Sequence, residues 1–368
     1  MRRPIPVIVG PTAVGKTDLS LAIAPRCDAE IVSADSRQIY RYLDIGTAKP
    51  TPAQRLAVPH HLVDLLDPDD DLNAASFARM AWDCIRTIEA RGKRPLVVGG
   101  SGMYIRALTD GLFPGPGAHT QLRAALEAEA RARGVHALHD RLGEVDPHAA
   151  ARIHPNDRIR IIRALEIYTL TGTPISQWQQ QWQHAPRRQN FILIGLTRSR
   201  EDLHRRIAAR TQAMLGQGLA AEVQAILDMG FSPTLPTLQS VGYGAMVAYL
   251  AGEIDRTQAG ELIERQTRRL AKRQMTWFRR LAGIRWFSLT EMSEAAVVAA
   301  ITAMLFEVWK TQADEVSSES VDRASPRCAC VGVTETFTLG RESCRVGTSQ
   351  GTVEPRSRGK EETARGRE

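Results

Sequence analysis

Length, composition and charge set the first limits on this chain. It has 368 residues, 43% of them hydrophobic, with 48 Lys+Arg against 41 Asp+Glu and a net charge of +7. That is ample apolar material for one large domain or two smaller ones, but no apolar run reaches the roughly 18 residues needed to span a membrane. Because the amino terminus also lacks a signal-peptide core, we expect a cytoplasmic protein with no membrane partner. The five cysteines form no CxxC pair and no metal-type spacing, so neither a disulfide framework nor a zinc site is indicated.

Charge and composition divide the chain near residue 310. Residues 1–310 carry a net charge of +8, and residues 311–368 carry −1. The second segment is rich in Ser, Thr, Gly, Glu and Arg and lacks sustained periodicity, which predicts a disordered tail at 311–368. The positive charge of the first segment fits either a solvated surface or a nucleic-acid binder, and its distribution must decide between them.

A phosphate-binding loop is the first motif in the chain. A short apolar strand is predicted at 6–9, and it leads into GPTAVGKT before a helical pattern begins. Glycines let backbone N–H groups approach phosphate oxygens, Lys16 can span two phosphates, and the Thr17 hydroxyl can hold Mg²⁺. The predicted diphosphate-binding residues are Gly10, Pro11, Thr12, Ala13, Val14, Gly15, Lys16 and Thr17. The motif does not identify the group attached to the phosphates, so a nucleotide kinase, an NTPase and a prenyl-diphosphate enzyme all remain possible.

Two further strands are predicted, at 30–34 and 95–98. Asp35 follows the first of them, and ligands of parallel sheets collect outside the carboxyl ends of the strands. If this strand neighbours the P-loop strand, Asp35 lies within reach of the phosphates; the alternative is an ordinary turn or helix-capping aspartate. The second strand ends in Gly-Gly-Ser-Gly at 99–102, which favours a tight connection between a strand and a helix.

A fourth strand is predicted at 191–196, and the chain between the third and fourth strands is helical or loop in pattern. The fold class is therefore α/β, with a P-loop NTPase-like parallel sheet core, an inserted helical subdomain and carboxyl-terminal helices. The predicted divisions are 1–114 for the first part of the core, 115–190 for the insertion, 191–310 for the rest of the core with the last helices, and 311–368 for the tail.

Basic residues concentrate in two predicted helices. The first follows a cap at 154–157 and carries Arg158, Arg160 and Arg163, while the second, at 265–280, combines seven Lys or Arg residues with two aromatic residues. Such a helix can hold phosphates and stack on unpaired bases. The alternative is a solvated amphipathic helix with Trp277 in the core. Trp178 and Trp182 are predicted to pack within the insertion rather than to stack on bases.

Seven segments of the chain occur in the order found in bacterial tRNA dimethylallyltransferases. In one-letter code they are GPTAVGKT, SADSRQIYRYLDIGTAKP, HHLVDLLDP, VVGGSGMY, HPNDRIRIIRALE, SVGYG and LAKRQMTWFR. They extend over about residues 4–290, and by these segments the chain resembles that family. Gly244 stands where the family usually has an arginine, and Ser101 stands where it commonly has a threonine.

The resemblance implies a transferase that moves the dimethylallyl group of dimethylallyl diphosphate to N6 of adenosine 37, beside the tRNA anticodon. It implies Mg²⁺ as the cofactor, held through Thr17, and four catalytic residues: Asp35, Arg210, Lys16 and Thr17. Asp35 is then the general base, and Arg210 neutralises the leaving diphosphate. We expect a monomer.

The resemblance also implies a tRNA-binding surface, with the helical insertion gripping the anticodon stem-loop. The expected tRNA-binding residues are Asp35, Ser36, Arg37, Gln38, Ser101, Arg123, Ile159, Arg160, Ile161, Ile162, Arg163, Gln239, Ser240, Val241, Gly242, Tyr243, Gly244, Lys272, Arg273, Gln274 and Trp277.

Three other classes share part of this pattern. A nucleoside or nucleotide kinase would need the same loop, Asp35 and an arginine-rich lid. A prenyltransferase acting on free adenine nucleotides would share most motifs, and a noncatalytic RNA-binding NTPase switch would share the loop. The basic 265–280 helix argues against the two small-molecule enzymes, and the DSRQIY context of Asp35 argues against a switch.

Overall fold

A parallel sheet of six strands organises the chain. The computed structural model describes residues 3–112, 115–183 and 191–322, with side chains left out at 181–183 and 311–322. The strands are β1 (Ile5–Val9), β2 (Ala29–Ser33), β3 (His60–His61), β4 (Arg94–Gly99), β5 (Phe191–Thr197) and β6 (Arg285–Ser288). Their order across the sheet is β3-β2-β4-β1-β5-β6, and every pairing is parallel.

The four predicted strands correspond to β1, β2, β4 and β5, and the first two of them are not direct neighbours in the sheet. β4 lies between β1 and β2, pairing Val7 with Val97 on one side and Leu96 with Ile31 on the other. Chain order does not fix strand order, because crossover connections allow a later strand to be inserted between two earlier ones. The ends of β1 and β2 therefore approach each other across the end of β4.

The strands β3 and β6 were not predicted, and both lie at an edge of the sheet. β3 consists of two histidines, and β6 is the short polar-aromatic sequence RWFS. Neither has the apolar run that marks a buried strand. Short edge strands are also the usual way in which a sheet avoids pairing with other chains.

Helices cover both faces of the sheet. Alternation along β1 directs Ile5, Val7 and Val9 into one hydrophobic cluster and Ile8 into the other, as the two-residue period of a strand requires. The helices before the insertion are α1 (Lys16–Ile23), α2 (Pro52–Ala57), α3 (Ala74–Ala90) and α4 (Gly102–Thr109). The continuous apolar sequence IPVIV of β1 is thus explained by burial on both faces.

Five helices between β4 and β5 form the insertion. They are α5 (Thr120–Arg133), α6 (Val135–Val145), α7 (Pro147–Ala150), α8 (Arg158–Thr171) and α9 (Ile175–Gln183). They enclose their own hydrophobic cluster, against which Trp178 packs as predicted. The side chain of Trp182 lies outside the described residues. The α/β fold class with its helical insertion is confirmed, whereas the exact domain boundaries stay predictions.

The last helices return to the sheet. They are α10 (Arg200–Gly216), α11 (Leu219–Asp228), α12 (Tyr243–Leu250), α13 (Arg256–Phe278) and α14 (Glu294–Asp322). In the part of the chain that the structure describes, none of the helices has the length and apolar character required to cross a membrane.

The helical backbone of α14 extends past Thr311, the predicted start of the tail. Buried residues hold α14 as far as Trp309, whose Nε1 donates to the carbonyl of Pro4 at 3.1 Å. The helical backbone then continues to Asp322. Residues 311–322 contain neither Gly nor Pro, so nothing local stops a helix that packing has already nucleated. Residues 323–368 of the predicted tail lie outside the described residues.

A buried carboxylate joins α5 to α8 in the insertion. Glu166 Oε1 accepts hydrogen bonds from the His119 amide at 2.7 Å and Arg123 Nε at 2.9 Å. Its Oε2 accepts from Arg123 Nη2 at 3.0 Å and Arg163 Nη1 at 2.5 Å. Burial by itself would raise the pKa of Glu166, but the hydrogen bonds from Arg123, the His119 amide and Arg163 outweigh it, so the pKa lies below its ordinary value.

We expect Glu166→Gln to destabilise the protein by about 3 kcal/mol at pH 7, because it leaves two arginines beside a neutral group. A depressed folded-state pKa means that the carboxylate stabilises the fold above the unfolded pKa of about 4.3 and loses this contribution as the pH falls through the folded value. In thermal unfolding, the difference in stability between wild type and variant should therefore shrink as the pH is lowered from 7 to 3. The surface carboxylate Glu127, 3.4 Å from Arg158, offers the control Glu127→Gln with a small effect throughout. A stability difference between wild type and Glu166→Gln that stays constant down to pH 3 would contradict this account.

Candidate active site

The phosphate-binding loop connects β1 to α1. Gly15 precedes the helix with φ of 108°, a left-handed conformation that favours glycine. A Cβ added at Gly10 would lie 2.8 Å from the Leu196 carbonyl oxygen, so this glycine allows the loop to pass close to β5. The loop therefore has the glycine backbone that its sequence predicts, and it leads into the amino end of α1, where an anion would be favoured.

Lys16 lies across this loop. Its Nζ donates to the carbonyls of Gly10 at 3.0 Å and Pro11 at 2.8 Å. Burial lowers the pKa of Lys16 to about 8; the negative charge of Asp35 opposes this shift and the positive charge of Arg210 adds to it. The three predicted catalytic residues Lys16, Asp35 and Arg210 are thus electrostatically coupled.

Asp35 occupies the turn that follows β2. Its Oδ1 accepts from the amides of Arg37 at 2.8 Å and Gln38 at 3.3 Å. These hydrogen bonds form the turn-aspartate arrangement that the sequence left as an alternative. The charge of Asp35 also acts on Lys16 and Arg210. The turn arrangement is therefore observed, and the role of Asp35 at a phosphate site stays a prediction that its charge on Lys16 and Arg210 supports.

Arg210 reaches the site from α10. Its Nη2 donates to the Thr47 carbonyl at 3.2 Å. Burial lowers the pKa of the guanidinium, with the charge of Asp35 opposing the shift and that of Arg206 adding to it. A half-buried arginine beside a phosphate loop is suited to neutralise a multiply charged leaving group.

The glycine-rich turn after β4 lies between the P-loop and Asp35. A Cβ at Gly99 would be 2.1 Å from the Ala34 carbonyl oxygen, so only glycine allows the ends of β2 and β4 to come this close. Ser101 Oγ accepts from the Ser36 amide at 3.0 Å. The hydroxyl of Ser101, which was expected to contact tRNA, here connects this turn to the residue after Asp35.

Helix α13 packs against both glycine-containing loops. Gln274 Oε1 accepts from the Thr12 amide at 2.8 Å, and its Nε2 donates to the Gly100 carbonyl at 3.0 Å. Trp277 lies against Gly102, where an added Cβ would be 2.3 Å from the indole ring. Gln274 and Trp277 were expected to bind tRNA, and that role stays a prediction. Both side chains are committed to contacts that join α13 to the site.

The other expected RNA contacts on α8 divide by helix face. Asp157 caps the helix as predicted, with its side chain accepting from the Arg160 amide at 3.2 Å. Ile159 is 77% exposed, but Ile161 and Ile162 are buried in the insertion's core. The side chains of Ile161 and Ile162 therefore turn inward on the helix and are not exposed to tRNA in this structure.

A second group of expected RNA contacts precedes and begins α12. Tyr243 is fully buried and donates its hydroxyl to Glu222, so its side chain is not exposed to tRNA in this structure. Gly242 is also buried, Gln239 is exposed, and the neighbouring residues are half-buried. A Cβ added at Gly244 would meet only ordinary contacts with Gln239, the nearest at 3.4 Å, so the backbone here does not require glycine.

Of three further residues expected to bind tRNA, one is held by hydrogen bonds within the protein and two are exposed. Gln38 Nε2 donates to the carbonyls of Thr47 at 3.3 Å and Ala48 at 3.2 Å, which commits this side chain to the loop at 44–48. Lys272 and Arg273 are exposed on α13. These two remain available to an RNA backbone.

Sequence reasoning missed three charged residues of the site. Arg198 Nε donates to the Val14 carbonyl at 2.9 Å, and Arg206 Nε donates to the Ala13 carbonyl at 3.0 Å. Glu222 binds the loop at 44–46. Nothing in the sequence distinguishes these side chains from ordinary charged residues on a solvated helix.

The fold and the site define a P-loop α/β protein that combines an anion-binding loop with a carboxylate and two cations at the carboxyl ends of its central strands. A family model described as IPP transferase matches residues 38–281, and one described as isopentenyl transferase matches residues 4–59. The chain belongs to the IPP transferase family and is a transferase, as its motifs predicted.

Relatives and solved structures agree with this assignment. The tRNA dimethylallyltransferase of Geobacter sulfurreducens is 49% identical over 280 residues, covering 76% of this chain and 90% of that protein. A protein named tRNA dimethylallyltransferase 2 from Syntrophus aciditrophicus is 49% identical over 281 residues, with coverages of 76% and 90%. The full-length tRNA isopentenylpyrophosphate transferase of Bacillus halodurans is 38% identical, with a TM-score of 0.64 over 86% of this chain and 100% of that chain.

The pKa of Lys16 generates a prediction for anion binding. Because that pKa is about 8 in the free protein, a bound diphosphate should raise it and take up a proton near pH 8.5. The contribution of Lys16 to pyrophosphate affinity, taken as the ratio of the wild-type affinity to that of Lys16→Arg, should be nearly constant below pH 7 and then fall as the pH rises, by up to about tenfold per unit.

Isothermal titration calorimetry in buffers of different ionisation enthalpy measures both quantities. Lys16→Arg is the matched control, because arginine stays charged throughout while the pyrophosphate itself titrates identically. The same pH dependence in both proteins would contradict the assigned role of Lys16.

Proposed function

We propose that the chain is a tRNA dimethylallyltransferase. It transfers the dimethylallyl group from dimethylallyl diphosphate to N6 of adenosine 37 and produces N6-isopentenyladenosine beside the anticodon. Membership of the IPP transferase family and the names of the relatives support this activity. The single observation that carries the chemistry is the placement of Asp35, whose charge acts on both Lys16 and Arg210.

The proposed reaction uses these three residues in different roles. The N6 amine is a weak nucleophile because its lone pair is delocalised into the adenine ring. Asp35 accepts the N6 proton while nitrogen bonds to the allylic carbon and the bond from that carbon to the diphosphate oxygen breaks. The diphosphate leaves with the electron pair of that bond, and Lys16 and Arg210 neutralise its charge.

Mg²⁺ is the proposed cofactor. Within the described ranges no cluster of three or more His, Cys, Asp or Glu residues could hold a metal by itself. This fits a hard cation that takes most of its ligands from substrate phosphates and water, with the Thr17 hydroxyl as the protein ligand. When bound, Mg²⁺ supplies additional positive charge at the diphosphate.

The anticodon stem-loop of tRNA is the proposed acceptor. An adenine in that loop is stacked, so it must be extruded to reach Asp35. Lys272 and Arg273 are exposed on α13, whose neighbouring turn carries Gln274 and Trp277 against the site. We therefore place the RNA backbone along this helix, with the exposed Ile159 and Arg160 of the insertion as a second contact. The protein is proposed to act as a cytoplasmic monomer.

Radiolabelled dimethylallyl diphosphate distinguishes this activity from its alternatives. With Mg²⁺ present, we expect label to enter unmodified tRNA and not adenosine monophosphate, because an extended RNA-binding surface is useful only for a large acceptor. A tRNA with guanosine at position 37 is the matched control and should remain unlabelled. Label in adenosine monophosphate would indicate an enzyme acting on free nucleotides, and absence of label from every acceptor would contradict the proposal.

Substitution of Asp35 tests the general base separately from RNA binding. Asp35→Asn keeps an oxygen for the amides of Arg37 and Gln38 but cannot accept the N6 proton. We expect single-turnover transfer to fall by roughly 10² to 10⁴, while tRNA affinity changes only a few fold. Loss of tRNA binding with an unchanged single-turnover rate would mean that Asp35 recognises the adenine and that another group is the base.

Lys272→Ala and Arg273→Ala should have the opposite effect. Each should weaken tRNA binding, reduce the slope of log affinity against log salt by about 1, and leave turnover at saturating tRNA nearly intact. Lys93→Ala removes one positive charge at the amino end of β4, away from the site, and serves as the control. Fluorescence anisotropy over a salt series measures the affinity. Equal effects of all three substitutions would contradict the placement of RNA along α13.

A further inference from the structure

A short loop between the site and α11 has an unusual anchor. Glu222 Oε2 accepts from the amides of Asp44 at 3.2 Å and Ile45 at 2.7 Å, and Oε1 accepts from the Gly46 amide at 3.3 Å. Three consecutive amides converging on one carboxylate form an anion-binding nest. Because Glu222 fills this nest, these amides are not available to a substrate phosphate.

The next residue of the same loop contacts the site. The Thr47 carbonyl accepts from Arg210 Nη2 at 3.2 Å and from Gln38 Nε2 at 3.3 Å. The backbone N–H of Gln38 in turn donates to Asp35 Oδ1. The position of this one carbonyl therefore bears on the guanidinium of Arg210 and on the turn that holds Asp35.

Tyr243 fixes Glu222 from the opposite side. Its hydroxyl donates to Glu222 Oε1 at 2.6 Å, and its ring packs under Gly46, where an added Cβ would lie 2.4 Å from the ring. The loop is also anchored at its two ends by Lys49, whose Nζ contacts Asp44 Oδ1 at 2.5 Å and the Tyr40 carbonyl at 2.8 Å. The loop also closes on itself, since the Ala48 amide donates to the Ile45 carbonyl and the Thr47 hydroxyl to the Leu43 carbonyl. Glu222 adds the side-chain acceptor for the amides of Asp44, Ile45 and Gly46.

The geometry points to Glu222 as a positioning residue for group transfer: by binding the amides of residues 44–46, it fixes the Thr47 carbonyl that directs Arg210 toward the leaving diphosphate. This inference rests on the proposed function and adds a residue to its machinery that touches neither substrate. Glu222 acts through Arg210, so its removal should matter only while Arg210 is present.

Glu222→Ala leaves three amides and the Tyr243 hydroxyl without their acceptor, and the loop is then free to relax. We expect affinity for inorganic pyrophosphate to fall about tenfold, the effect of losing one charge-assisted hydrogen bond to the ligand. Single-turnover transfer should fall by at least as much, because negative charge grows on the diphosphate as it leaves. Affinity for tRNA should change less than threefold.

Tyr243→Phe is a milder variant, because it removes only the hydroxyl and leaves all three amide contacts. We expect it to lower pyrophosphate affinity two- to threefold. Glu222→Gln should be intermediate, since one oxygen can still accept from Asp44 and Ile45 while the Tyr243 hydroxyl turns to accept from the new amide. Gln224→Ala, on the same helix, is the matched control and should leave pyrophosphate affinity and transfer unchanged.

A double-mutant cycle between Glu222→Ala and Arg210→Ala is the decisive experiment. Pyrophosphate affinity is measured by calorimetry, transfer to tRNA by single turnover, and folding by thermal unfolding. The inference requires Glu222→Ala to have little further effect on either quantity when Arg210 is already alanine. Equal losses in both backgrounds would overturn it and make Glu222 a residue of general stability.

Should Glu222→Ala fail to fold, the same cycle with Tyr243→Phe and Glu222→Gln decides the matter, with the same required loss of effect. The pyrophosphate measurements also distinguish failure of the positioning role from failure of the proposed function. If wild type transfers no label but the cycle is non-additive for pyrophosphate, the positioning role stands and the proposed function fails. If wild type transfers label and the cycle is additive, the positioning role fails alone.

Discussion

Three parallel strands end side by side, and the glycine turn on the middle strand determines how closely the outer two ends approach. β4 lies between β1 and β2, so any side chain at Gly99 would separate Asp35 from the P-loop. The carbonyl of Ala34 lies 2.1 Å from where a Cβ at Gly99 would stand. Two hydrogen bonds end on the same turn. The Ser36 amide donates to Ser101 Oγ, and Gln274 Nε2 donates to the Gly100 carbonyl. This contact therefore connects the anion loop, the carboxylate and the basic helix α13.

Electrostatics gives this geometry its chemical character. Desolvated cations alone would bind a diphosphate, and a carboxylate beside them would ordinarily weaken that binding. Placing Asp35 next to Lys16 and Arg210 makes sense when the carboxylate faces a second substrate that must lose a proton as the diphosphate leaves. The indirect support of Arg210 by Glu222 follows the same logic, because a flexible arginine contributes little unless its direction is fixed.

The sequence was informative where residue types are required at fixed spacings or in buried runs. The P-loop and four of the strands were predicted because glycines, a lysine and continuous apolar residues leave strong patterns, whereas Asp35 was a candidate from its position after a strand and from the resemblance. β3 and β6 were missed because a two-residue edge strand and RWFS carry no such pattern. Strand order was also beyond reach, since it depends on crossover connections.

Side-chain direction explains why the set of site residues predicted from the sequence differs from the set that the structure brings together. Resemblance assigned whole segments to tRNA, but neighbouring helical residues point to different faces, so Ile159 is exposed while Ile161 is buried. Arg198, Arg206 and Glu222 were missed because, in the sequence, a charged residue that binds a distant carbonyl or amide looks the same as one that faces water. Only the tertiary structure distinguishes these cases.

The central claim is that one site holds the diphosphate at the P-loop and the acceptor amine at Asp35. A crystal structure with an unreactive thiolo analogue of dimethylallyl diphosphate and an anticodon stem-loop would test it most directly. The account predicts a diphosphate in contact with Lys16 and Arg210, and an extruded adenine whose N6 lies about 3 Å from a carboxylate oxygen of Asp35. A diphosphate bound outside the P-loop, or an adenine N6 facing a different group with Asp35 turned away, would contradict it.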